Sequence, residues 1–61
     1  MLTPGMKVKV YQQPYTDEEF EEEGMLVEKI DRQIDEPGFE TWDVKFPSDP
    51  GETFVRTIKV Q

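Results

Sequence analysis

The chain has 61 residues, with fourteen acidic and seven basic side chains, no histidine and no cysteine, for a formal charge of −7. Disulfide staples and thiolate chemistry are excluded, and the commonest general base and the usual nitrogen and sulfur metal ligands are missing. The negative charge disfavours direct binding to nucleic acid or to an anionic membrane, since both need a positive surface.

A chain of this size is expected to be one domain, residues 1–61. At about 60 residues only roughly 60% of the unfolded surface is buried, so every large apolar side chain matters. No apolar run approaches the length of a membrane span. Residues 1–5 lack the basic head and apolar middle of a signal peptide. The lack of cysteine fits a reducing compartment, and the expected location is cytoplasmic.

Thr3-Pro4-Gly5 is a breaker cluster. Residues 6–11 then alternate, with Met6, Val8 and Val10 on one parity and Lys7, Lys9 and Tyr11 on the other. That is a first strand, ended by Pro14, which has no N–H for a ladder.

Residues 15–24 form an acidic stretch that reads as a loop or as one short helix. Thr16 and Glu19 have capping-box spacing, Tyr15 and Phe20 suit a hydrophobic staple, and Gly24 suits a C-terminal cap. Against the helix, Glu18 repels Glu22 and Glu19 repels Glu23 at i, i+4. In either form Phe20 is expected to anchor the stretch to the core.

Residues 24–34 read as a second strand. Leu26 and Ile30 share one parity, and Met25 and Val27 the other, which predicts a bulge or bend of the kind found where one strand serves two sheets. Pro37 and Gly38 suit the centre of a type II turn. In residues 40–46, Trp42, Val44 and Phe46 take one face and Thr41, Asp43 and Lys45 the other. This run holds the only tryptophan and is expected to be the central strand. Residues 47–51 read as a turn with Pro50-Gly51, residues 52–57 as a fourth strand, and residues 58–60 as a short fifth.

The order of these elements and the wording Pro4-Gly5-Met6-Lys7-Val8-Lys9-Val10, Glu23-Gly24-Met25-Leu26-Val27-Glu28-Lys29-Ile30 and Trp42-Asp43-Val44-Lys45-Phe46 resemble the Tudor-like and KOW-like group of SH3-like barrels. The layout is also similar to the small SH3-like subunit of photosystem I. The resemblance covers nearly the whole chain. It implies an all-β, five-stranded SH3-like barrel with a long acidic connection between strands 1 and 2. It carries fold far better than function.

Tudor-like domains often hold a methylated cation in an aromatic cage, for which Tyr11, Trp42, Phe46 and Phe54 are the candidates here. A core this small is expected to need the last three, which leaves Tyr11 free. KOW-like domains often contact RNA, but here Lys7, Lys9, Lys45, Arg56 and Lys59 are isolated among acids with no basic stripe. With no cleft or nucleophile evident, no enzyme activity, metal or cofactor is expected.

The expectation is therefore a non-enzymatic interaction module that docks a basic protein partner. Asp17, Glu18, Glu19, Glu21, Glu22 and Glu23 would supply a strong local field, with Tyr15 and Tyr11 beside them. The alternatives are a nucleic-acid-associated accessory domain of the KOW or Tudor kind, and an acidic nucleic-acid mimic that occupies a nucleic-acid-binding protein. A merely solvated loop is the plain alternative to all three.

Overall fold

The structure is a computed structural model and describes residues 1–31 and 35–60. Four strands, β1 (Lys7–Gln13), β2 (Glu18–Lys29), β3 (Phe39–Phe46) and β4 (Asp49–Lys59), form one antiparallel sheet in the order β1-β2-β3-β4. There is no helix among the described residues. Residues 32–34, read above as the end of the second strand, lie outside them.

The all-β expectation holds, and the number of strands differs. Residues 52–57 and 58–60 do not form separate strands, because Thr57, Ile58 and Lys59 continue one ladder opposite Thr41, Glu40 and Phe39. No glycine or proline follows Gly51 to break the run, and Thr53, Val55, Thr57 and Ile58 favour extended backbone. Pro50-Gly51 is not the hairpin turn either. Phe46 pairs with Asp49, so the turn is Pro47-Ser48. Between the Val44–Phe54 and Phe46–Asp49 pairs the ladder is irregular, where Pro50 has no N–H to donate.

The acidic stretch is neither loop nor helix. A short turn over residues 14–17 leads directly into β2, whose first half pairs with β1 from Gln13–Glu18 to Lys7–Met25. Pairing gives the backbone groups that face β1 their partners, whereas one short helix would stack Glu18 on Glu22 and Glu19 on Glu23.

The irregular apolar spacing of β2 has the expected cause. Residues 18–25 pair with β1 and residues 25–29 with β3, and Met25 stands opposite both Lys7 and Lys45. A bulge falls between Leu26 and Glu28, at Val27. Gly24 lies at this bend and is buried, not a helix cap. A Cβ there would overlap Val44 Cγ1 and come within 3.2 Å of Phe46 Cε1. Only a residue without a side chain leaves room here for the side chains of Val44 and Phe46.

The core joins Val10 of β1, Leu26 of β2, Trp42, Val44 and Phe46 of β3, and Ile58 of β4, with Leu2, Val8 and Phe54 packed against it. Half of the buried core comes from β3, which is therefore the centre of the packing. Burial of each such side chain contributes about 1.5–3 kcal/mol. Met6, expected inside, is at the margin and exposed. Thr41, expected to face out, is buried, and its hydroxyl donates to Asp35 Oδ1 at 3.1 Å. Glu36 C=O accepts from Phe39 N–H at 3.0 Å around Pro37-Gly38, and Gly38 has the φ of 86° that a type II turn demands.

Candidate functional site

The structure divides the six carboxylates of the acidic stretch into two groups. The register of β1 against β2 slips between Val10–Glu22 and Tyr11–Phe20, which leaves Glu21 as the extra residue of a bulge. Such an insertion re-aims a side chain. Glu21 reaches β4, where Arg56 donates from Nε to Oε1 at 2.8 Å and from Nη2 to Oε2 at 3.1 Å. Its neighbour Glu22 accepts from Ser48 Oγ at 2.7 Å. Both acids are thus committed to bonds across the β3–β4 hairpin.

Arg56 is held on a second side as well. Its guanidinium carbon lies 5.9 Å from the centre of the Phe46 ring and 5.7 Å from that of Phe54. The hydrogen bond to Glu21 raises the guanidinium pKa above its usual value, with partial burial opposing this and the carboxylate charge adding to it. Of the four aromatic cage candidates, Trp42 is 2% exposed and Phe46 and Phe54 already face Arg56. Tyr11, the fourth, is half-buried and packs edge-on against Phe20.

Of the remaining acids, Asp17, Glu18 and Glu19 belong to the tip of the β1–β2 hairpin, and Glu23 lies further along β2. Asp17 Oδ2 is 3.7 Å from Lys59 Nζ, and Glu18, Glu19 and Glu23 are exposed. Glu23 stands opposite Lys9 in the ladder. The tip is also backbone-strained, since Asp17 and Glu19 have φ of 54° and 56°. Asp tolerates that region through local hydrogen bonding, but Glu has no such relief.

Phe20 corrects the sequence reading. It does not anchor the stretch to the core but is 55% exposed, in edge contact with Tyr11 at 5.4 Å between ring centres. The two residues are ladder partners, so their rings share one face. Tyr15 is also exposed and makes an edge contact with Phe39 at 4.6 Å. The tip therefore presents Tyr15, Phe20 and part of Tyr11 beside Glu18 and Glu19. Sequence reasoning missed Arg56 and Ser48 as partners of the acidic stretch, because no local pattern reports a contact made across 35 or 26 residues.

Compared with protein-family models, curated proteins and solved structures, the chain matches none.

Proposed function

We propose that the protein is a non-enzymatic interaction module whose β1–β2 hairpin tip docks a basic protein segment. The observation that carries this reading is the position of Phe20, exposed and edge-on to Tyr11 next to the exposed carboxylates of Glu18 and Glu19. A large aromatic held on the surface of so small a fold loses burial that the core would otherwise gain. Aromatic side chains are the usual energetic anchors of interfaces, and surrounding charges steer the partner and set the on-rate. A lysine- or arginine-rich segment fits both parts of the tip. Its charges meet Glu18 and Glu19, and its alkyl stems or guanidinium planes lie on Phe20 and Tyr15.

The fold reading goes with this proposal. A bent β2 shared by two ladders, and a core that joins the outer strands β1 and β4, support an SH3-like barrel whose fifth strand is merged into β4.

The test is stopped-flow association with a synthetic arginine-rich peptide at low and high salt. Glu18→Gln/Glu19→Gln is expected to slow association and flatten its salt dependence. Phe20→Ser is expected to speed dissociation, with the association rate nearly unchanged. Identical rates for all three proteins would reduce the tip to a solvated turn.

A further inference from the structure

β1 and β4 are the outer strands of the sheet, and each has its second backbone edge unpaired among the described residues. The two edges border a cleft of about 490 Å³, lined by Lys7, Val8 and Lys9 of β1 and by Thr57, Ile58 and Lys59 of β4, with the carboxylates of Asp17 and Glu23 and the side chain of Leu2 also on its wall. That volume lies within the range of about 300–1,000 Å³ usual for built binding sites.

Each lip sets one apolar residue between polar ones. Val8 and Ile58 belong to the core packing, whereas Lys7, Lys9 and Lys59 are exposed. This likeness gives a reason for the seam to be open. Closing β1 directly on β4 would bring lysines together on the outer face, and like charges opposite one another destabilise a ladder. The same repulsion opposes a second copy adding β1 to β1 or β4 to β4. Edge lysines are a common guard against indiscriminate strand pairing, and the strand they favour is an acidic one. Asp17 already places a carboxylate 3.7 Å from Lys59, in a half-exposed contact that solvent screens and a ligand can replace.

We infer that this seam accepts an extended acidic peptide as an added strand. The free N–H and C=O groups of β1 and β4 supply the main-chain hydrogen bonds, and side-chain alternation supplies the specificity. Apolar side chains of the occupant pack on the half-buried Val8 and Leu2, and its carboxylates lie among Lys7, Lys9 and Lys59. The overall charge of −7 is screened beyond about 8 Å at physiological salt, and at the seam itself Lys7, Lys9 and Lys59 outnumber the carboxylates of Asp17 and Glu23. The seam shares Tyr11 and Asp17 with the hairpin tip at one end, but it selects a ligand of opposite charge.

The experiment titrates isotope-labelled protein with a synthetic peptide of alternating valine and glutamate, about eight residues long to match a strand. A twin peptide carries lysine in place of glutamate. Saturable amide shifts are expected along β1 and at residues 57–59, with affinity lower by about tenfold or more for the twin peptide and for Lys9→Glu/Lys59→Glu protein. The milder Lys9→Gln/Lys59→Gln protein is expected to fall between, and its unperturbed spectrum checks the fold. The inference is overturned by no binding at about 1 mM peptide, by equal binding of the two peptides, or by shifts confined to residues 15–20. It is also overturned by a dimer of the free protein that the double glutamate variant abolishes, which would assign the seam to a second copy.

Discussion

Glu21 and Arg56, 35 residues apart, form a two-point ion pair that ties the first half of β2 to β4. The two strands are not neighbours in the sheet order, so the pair spans the fold where no ladder does. Its side chains are 19% and 32% exposed, which places the pair between a surface and a buried ion pair. Charge-assisted bidentate geometry favours it, and partial solvent access limits its strength. A double-mutant cycle of Glu21→Gln and Arg56→Lys, followed by urea unfolding, is expected to give a coupling of about 1 kcal/mol. A coupling indistinguishable from zero would show that the bend of β2 is held by packing alone.

Gly24→Ala tests the close approach of Val44 and Phe46 to β2. The new methyl meets Val44, a buried β-branched side chain with little rotamer freedom, and Phe46 behind it. Overpacking of this kind costs about 1–3 kcal/mol, a large share of the stability of so small a core. Gly51→Ala is the control, since nothing lies within 4 Å of a Cβ there. Thermal unfolding that shows equal losses for the two variants would contradict the close approach at Gly24.

Trp42→Ala and Phe20→Ala separate core from surface aromatics. Trp42 is 2% exposed and its Nε1 donates to Glu40 Oε1 at 2.9 Å. Its truncation is expected to cost about 3–5 kcal/mol and to leave the chain mostly unfolded. Phe20 loses chiefly its edge contact with Tyr11, so Phe20→Ala is expected to cost no more than about 1.5 kcal/mol. Circular dichroism on the two variants reads the difference directly. An unfolded Phe20→Ala protein would return that residue to the core.

Glu19 is strained, with φ of 56°. A left-handed conformation costs a non-glycine residue about 1–2 kcal/mol, part of which glycine recovers before its own entropy cost. Glu19→Gly is therefore expected to raise stability by up to about 1 kcal/mol. Under the proposed function, the same change lowers affinity for the arginine-rich peptide, because it removes a carboxylate from the tip. Stability and affinity rising together would argue against a binding role for Glu19.

The alternation of Trp42, Val44 and Phe46, the Pro37-Gly38 turn and the broken apolar parity of β2 were all legible in the sequence. Each depends on side-chain period or on the φ of one residue, and these are properties of a few adjacent positions. The sequence alone therefore determined an all-β chain centred on β3, with a second strand that bends. The acidic stretch was not legible in this way. Its capping-box spacing was real, but pairing with β1 supplied backbone hydrogen bonds without stacking the glutamates on one another. Which carboxylates were committed and which were exposed depended on the bulge at Glu21 and on Arg56 and Ser48, which arrive from β4 and the β3–β4 turn. Phe20 and Gly24 exchanged their expected roles for the same reason. Their environments are made by strands distant in the chain, so only the tertiary structure decided that the aromatic faces solvent and the glycine lies buried.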